Sequence, residues 1–328
     1  MRRRDVIALL GGAAAAGALP LPLHAQQPMP VVGFLHGEAA NTMAPHVAGY
    51  HRGLKAGGFV DGQNLTIEFR WAEGHVDRLP AMATDLVRRR VAAIFAAGGV
   101  QSAIAAKNAT TTIPILFATG GDPVRLGLIS SLARPGGNMT GVSFLNADLT
   151  AKALGLLSQI APKARTVALL FNPTVPDSAR QPADAQEAAS ALGLELLVLK
   201  ASTDADIEQA FATLMQRGAG ALVIGGDPFF RSRLNRLTAL TERHRIPATY
   251  VGREFPAAGG LMSYGTSAVD AYRQVGVYTT RILKGDKPQD LPVMLATKFE
   301  FVINLKTVKA LGLEVPPGVS SMADEIIE

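Results

Sequence analysis

Residues 120–143 read GGDPVRLGLISSLARPGGNMTGVS, two Gly-rich turns around a short apolar run. The stretch looks like a phosphate loop, but no Gly-Lys-Ser/Thr comes after it, so the lysine and hydroxyl that such a loop brings to a nucleotide are missing. The residues before it decide its meaning. Ile113–Ala118 is a compact apolar run of strand length, and Met139–Val142 is the next. Gly120 and Gly121 therefore come directly after a strand. In open parallel sheets the ligand sits at the carboxyl ends of the strands, where such turns lie.

Outward from this stretch the chain keeps one rhythm. Val31–His36, Leu65–Phe69 and Ala92–Ala97 read as strands before it, with Met43–Ala56, Val76–Arg89 and Gln101–Lys107 as helices; Leu126–Leu132 inside it reads as a further helix. A second series continues the pattern, with strands at Thr166–Asn172, Glu195–Leu199, Ala221–Ile224, Ala248–Val251 and Leu261–Ser263. Its helices are Ser178–Leu192, Asp204–Arg217 and Phe230–Arg243. Ile207, Ala210, Phe211 and Leu214 make one apolar stripe, and Asp204 and Asp206 sit where acidic side chains satisfy free N–H groups. Strands alternating with helices predict α/β architecture with parallel sheets and right-handed crossovers. Two series predict two Rossmann-like lobes. The tail departs from the rhythm: a helix at Asp270–Leu283, a Pro/Gly-rich crossover KGDKPQDLPV, a strand at Phe299–Ile303 and a short helix Leu305–Leu311. It is expected to return to the first lobe and then the second. The lobes become 29–144 with about 266–296, and 145–265 with about 297–328, joined by several strands that favour closing over tumbling.

Six strand mouths then face a common cleft: HGEAANT, AGGVQS, TGGDPV, NPTVPD, GGDPFF and GREFP. Glycines at 98, 99, 120, 121, 225 and 226 let the backbone approach a ligand and donate N–H groups to it. Gly136 and Gly137 end the predicted helix and read as structural. Asp122 and Asp227 occupy matching Gly-Gly-Asp-Pro turns. Each reads as a cap of the following turn, as half of an acid–base pair, or as the partner of a ligand ammonium. Phe229, Phe230, Tyr250 and Tyr264 fall near the second set of mouths, where they stack on a flat ligand or simply pack. Trp71, after the second strand, reads as structural.

The N-terminus, MRRRDVIALLGGAAAAGALPLPLHAQQ, has the charged start, apolar middle and Leu-His-Ala ending of an export signal over residues 1–25, with Arg3-Arg4 resembling a twin-arginine pair. Its apolar run is too short to span ~30 Å of hydrocarbon. Beyond residue 25 there are 29 Lys and Arg against 26 Asp and Glu, a net +3 that gives no reason to expect nucleic acid. The chain has no cysteine, which excludes disulfides, thiolate metal sites and an N-terminal lipidated cysteine. A soluble periplasmic protein, without a lipid anchor and touching the membrane only through a partner, is expected. His46 and His51 are five apart, not the i, i+4 spacing of a helical metal pair. No Gly-x-Ser-x-Gly elbow, cofactor fingerprint after a strand, or helix-turn-helix before the first strand is present.

TGGDPVRLGLISSLARPGGNMTGVS, PATYVGREFPAAGGLMSYG, YRQVGVYTTRILKGDKPQDLPV and KFEFVINLKTVKALGLEVP together resemble the ABC-transporter substrate-binding family that includes tryptophan/tyrosine-type binding proteins. The resemblance covers essentially the whole chain. It implies a type I periplasmic-binding fold, a ligand in the cleft, no cofactor, and delivery to a membrane permease driven by a separate ATPase. On this reading Glu38, Gly98, Gly99, Thr119, Gly120, Asp122, Asn172, Asp227, Phe229, Tyr250 and Tyr264 line the ligand site of a monomer. Backbone N–H groups at 98–99 and 120–121 hold a carboxylate, Asp122 or Asp227 answers an ammonium, and Tyr250 or Phe229 flanks an apolar side chain. An amino acid or small aromatic carboxylate is the expected ligand. An exported two-lobed enzyme, or a sensory module for a membrane receptor, would show the same cleft.

Overall fold

The computed structural model describes residues 29–144, 147–176 and 178–328; the export-signal reading of residues 1–25 lies outside them. The first part of the chain runs β1 (Val31–His36), α1 (Ala44–Ala56), β2 (Thr66–Trp71), α2 (Leu79–Arg88), β3 (Ala93–Ala97), α3 (Val100–Ala109), β4 (Ile115–Thr119) and β5 (Met139–Ser143). The second runs α4 (Ala147–Ile160), β6 (Thr166–Phe171), α5 (Gln181–Ala191), β7 (Glu195–Lys200), α6 (Asp204–Gln216), β8 (Ala221–Ile224), α7 (Pro228–Ser232), α8 (Leu234–Arg243), β9 (Ala248–Tyr250), α9 (Glu254–Ala257) and β10 (Met262–Thr266). The tail adds α10 (Ala268–Leu283), β11 (Met294–Leu295), β12 (Phe299–Asn304), α11 (Leu305–Leu311), α12 (Pro317–Ser320) and β13 (Glu325–Ile327).

Among the described residues the strands form two sheets, ordered β11-β5-β4-β3-β1-β2 and β13-β12-β10-β9-β8-β6-β7. Pairing is parallel except between β10 and β12, which run antiparallel from Met262 opposite Ile303 to Thr266 opposite Phe299. The chain leaves β11 at the carboxyl edge of the first sheet and enters β12 at the carboxyl edge of the second, so β12 must run back against β10. Crossings after β5, β10 and β11 connect the two sheets.

Each sheet is covered on both faces, which is why its strands read as unbroken apolar runs. Successive side chains alternate faces. Phe34 and Phe95 meet Tyr50 and Leu54 of α1 and Tyr272 and Val275 of α10, whereas Leu35 and Ile94 meet Leu79 and Leu86 of α2 and Ala103 of α3. In the second sheet Leu169 and Val223 pack with Leu157 of α4 and Ala189 of α5, and Leu170 and Leu222 with Phe211 of α6 and Leu237 of α8. The α6 stripe of Ile207, Ala210, Phe211 and Leu214 is fully in the core. Its N-cap is Thr203, whose hydroxyl accepts from Asp206 N–H while the Asp206 carboxylate accepts from Thr203 N–H. Asp204 is turned outward to Arg233 and Arg236 instead.

One contact in the tail matters for the cleft. Helix α10 lies against α1 with almost no side chain between them. A Cβ at Gly53 would strike the Arg273 carbonyl oxygen, and one at Gly276 the Tyr50 carbonyl oxygen. This backbone-to-backbone docking presses the N-terminal turns of α10 onto the first sheet.

Two helix expectations are corrected, and one helix was not expected. Leu126–Leu132 is a chain of turns: Gly127 has φ +65°, which breaks a right-handed helix, and Leu126 N–H and Leu128 N–H return to the Asp122 and Pro123 carbonyls. Phe230–Arg243 is split at Arg233, which leaves the helical region (φ −109°, ψ 21°) to bond Asp204 at 2.6 Å and lie 4.0 Å over the Phe229 ring. Helix α4 has no counterpart among the expected helices, although Ala153, Leu157 and Ile160 carry its buried stripe.

Candidate ligand-binding cleft

A cavity of about 650 Å³ lies between the carboxyl edges of the two sheets. The first sheet supplies Glu38, Gly98, Gly99, Thr119, Gly120, Gly121 and Asp122, and the second Gly225, Gly226, Asp227 and Tyr250. Phe144 and Thr266 close it beside the crossings; Tyr264 of β10, Tyr272 of α10, His46 of α1 and Arg231 of α7 complete the wall. Parallel strands end here because each crossover helix starts here, so loops, helix N-termini and their unpaired donors collect on this side.

The polar centre is built on one buried imidazole. His36, the last residue of β1, is fully inaccessible. Its Nδ1 accepts the Glu38 N–H at 3.0 Å, which leaves the ring proton on Nε2, and Nε2 donates to the Tyr272 hydroxyl at 2.8 Å. Gly98 covers the ring: its φ is +70°, and a Cβ there would strike the imidazole. Burial, with His46 and Arg231 nearby, holds His36 down to about 3, so it is neutral at any ordinary pH. Burial and Arg231 likewise hold His46 down to about 4.

Glu38 belongs to the first sheet and Arg231 to the second. They meet across the cavity with Nε to Oε2 at 3.6 Å, too long for a hydrogen bond. Arg231 also pairs with Glu254 of α9 at 2.8 Å. Glu38 is 5% exposed and its Oε2 has no hydrogen-bond partner among the described residues; neither has Arg231 Nε. Burial pushes the Glu38 carboxyl up to about 7 against the pull of Arg231. Burial opposes charge on Arg231 too, but Glu254 and Glu38 outweigh it and keep the guanidinium protonated. Asp227 is buried, which raises it, while bonds from Asn172 Nδ2 at 3.2 Å and Phe229 N–H at 2.7 Å work the other way. Three carboxyl groups therefore surround one guanidinium, a setting that favours a cationic group on a guest.

Of the residues singled out in the sequence, Glu38, Gly98, Gly99, Thr119, Gly120, Asp122, Asp227, Tyr250 and Tyr264 border the cavity, and Asn172 and Phe229 do not. Asn172 instead holds Asp227 and, through Oδ1, accepts from Thr174 N–H at 3.0 Å. Phe229 is covered by Arg233 and packs on Phe230 at 5.3 Å. Tyr250 touches the wall but offers no ring face: it is 1% exposed, stacked on Phe255 at 4.6 Å, with its hydroxyl on Thr241 at 2.7 Å. Tyr250 is thus part of the core, and Phe229 is a half-buried ring packed against it. Thr119 Oγ1 accepts from Gly121 N–H at 3.3 Å and shapes that turn. Asp122 accepts from Val124 N–H at 2.9 Å and pairs with Arg125 at 3.1 Å, half-exposed at the rim. Sequence reasoning missed His36, His46, Arg231 and Tyr272. Arg231 sits four residues beyond a capping Asp, and His36 closes a strand next to Glu38; both signals are local. Tyr272 carries none, because only the tail's return brings it here.

Two doubly wound sheets joined by three crossings, with charged side chains of both facing one cavity, define a two-lobed α/β protein with a cleft between its lobes. The sequence model of the ABC transporter substrate binding protein family matches residues 31–327, and the chain belongs to that family. The chain is 28% identical over 267 residues to a tyrosine-binding protein of Clostridioides difficile (strain R20291), covering 81% of this chain and 76% of that one. A Streptococcus pneumonia ABC domain in complex with L-Trp superposes with a TM-score of 0.83 at 24% identity, over 91% of this chain and 99% of that one. The ligand-free, open structure of a Clostridium difficile substrate-binding protein with adhesive properties gives 0.69 at 27% identity over the same shares. The architecture is the type I periplasmic-binding fold. A Cβ at Gly99 would lie 3.2 Å from Pro228, so the mouths after β3 and β8 come close to each other across the cavity.

Proposed function

We propose that the protein is the solute receptor of an ABC importer, exported by its N-terminal signal, that captures an amino acid between lobes and hands it intact to a permease driven by a separate ATPase. The lobes are 29–144 with about 266–296, and 145–265 with about 297–328, acting as a monomer in the periplasm. The observation that carries this is the charged contact of Glu38 with Arg231: a ligand touching both lobes stabilises only the closed form. The excess of carboxyl groups suits an ammonium, and Phe144 and Tyr264 supply apolar wall for a side chain. The tyrosine-binding relative and the tryptophan-bound neighbour support an aromatic amino acid. No helix among the described residues is long and apolar enough to cross a membrane.

The test is thermal unfolding of the purified protein with L-tyrosine, L-tryptophan and other amino acids at about 100 times Kd. Binding to the native state alone adds about 2.7 kcal/mol and raises Tm by several degrees, with every ligand recovered unchanged. Turnover to product would instead make it an enzyme, and no shift with any amino acid would reject the ligand class.

A further inference from the structure

Resting on the amino-acid reading above, we infer that Tyr272 contacts the ligand, donating its hydroxyl proton to the α-carboxylate, and that His36 is the positioning residue that makes Tyr272 a donor. Proton placement around the imidazole fixes the polarity. Glu38 N–H donates to His36 Nδ1 at 3.0 Å, so the imidazole proton sits on Nε2 and points at the Tyr272 oxygen, 2.8 Å away. The Gly98 N–H approaches the same oxygen. With the Nε2–H directed at one lone pair, the hydroxyl has its own proton left to give. No acceptor for that proton is found among the described residues, while Tyr272 borders the cavity. The hydroxyl is therefore a donor of fixed polarity on a residue of the cavity wall, and its complement is an acceptor oxygen.

The neighbours say which acceptor. Helix α3 begins at Val100 beside it, with Gly99 as an N-cap that offers no side chain, so its first N–H groups lack that partner. Arg231 Nε is unbonded on the opposite lobe. These favour an anionic oxygen. On the same imidazole, two atoms round from Nε2, hangs Glu38, whose buried Oε2 is also unbonded. One rigid ring thus carries a donor for a carboxylate and, by its other nitrogen, an acceptor for an ammonium. That pairing fits the head group of an α-amino acid and does not fit a simple amine, which has no acceptor oxygen. The ring cannot swap its polarity, because the Glu38 backbone N–H can only donate.

The experiment measures Kd by calorimetry for L-tryptophan and for tryptamine, which lacks the carboxylate, with wild type and Tyr272→Phe. The expected result is a loss of about tenfold or more for L-tryptophan in the variant with less than about twofold change for tryptamine. Equal losses for both, or none, overturn the inference while leaving the receptor intact. Failure of wild type to bind any amino acid overturns the ligand class and this inference together. If Tyr272→Phe does not fold, His36→Gln and His36→Leu decide. The Gln amide N–H can replace Nε2–H and should keep L-tryptophan affinity within about threefold, whereas Leu should lose about tenfold for L-tryptophan alone. Identical behaviour of the two His36 variants also overturns it.

Discussion

Gly-Gly-Asp-Pro occurs twice, at 120–123 after β4 and at 225–228 after β8, and the two copies do different things. Both aspartates cap the turn immediately after them: Asp122 Oδ1 takes the Val124 N–H and Asp227 Oδ1 the Phe229 N–H. The difference lies downstream. After Pro123 comes Gly127 with φ +65°, so the chain breaks into turns and Asp122 stays half-exposed with Arg125. After Pro228 there is no early glycine, so a helical turn forms and returns Arg231 to the cavity, four residues from its cap. Asp227 is buried and further held by Asn172. A capping carboxylate is thus a local property of the tetrapeptide. Placing charge in the cleft belongs to the helix that one copy starts and the other does not.

The strongest test of this contrast is Arg231→Ala. It strips Glu38 and Glu254 of their shared cation and removes the contact between lobes. Amino-acid Kd is expected to rise about 100-fold, or about 2.8 kcal/mol, and Tm to drop, because a buried carboxylate loses its partner. Calorimetry with retained affinity would deny Arg231 any role in closure. The next step compares the two aspartates directly. Asp227→Ala should raise Kd about tenfold and cost about 0.5–2 kcal/mol of stability through the lost cap. Asp122→Ala should change Kd by less than about twofold, since exposed pairs such as Asp122–Arg125 contribute little. Equal losses would mean that both turns serve the ligand alike.

The smallest effect is with pH, and it separates Glu38 from the capping aspartates. Burial raises Glu38 from 4.5 to about 7. Through that window the unfolded chain has released the proton and the folded one has kept it, so this group's contribution to stability declines as pH rises and is level above about 7. A ligand ammonium prefers the ionised carboxylate. Kd should therefore fall, by up to about fivefold, from about pH 6 to about pH 8. His36 and His46, held down to about 3 and about 4, stay neutral throughout and do not contribute. Glu38→Gln should flatten the profile; a sloping profile in that variant would assign the dependence to another group.

Much of the fold was legible because it is periodic. Strands buried on two faces must be apolar throughout, and β1, β3, β8 and the α6 stripe announce themselves in this way. Leu126–Leu132 misled because Leu128 and Ile129 are buried and Leu126 and Leu132 half-buried against the first sheet's core, within turns that mimic a helical run. In the site, the strand-end loops carry Glu38, Gly98, Gly99 and Asp227, which border the cavity. The aromatics misled, since residue type alone does not say whether a ring faces core or cleft: Phe255 claims Tyr250 and Arg233 covers Phe229.

The order of strands and helices, the two-sheet plan and the Gly-rich mouths were set by local patterning, because burial and turn chemistry act within a few residues. Which side chains meet at the centre was decided only in three dimensions. Tyr272 lies 236 positions from His36 and reaches it because glycines on α1 and α10 let two backbones touch. Arg231 reaches Glu38 because the sheets face each other edge to edge. Contacts of that length depend on how whole elements dock, and no stretch of sequence read alone contains them.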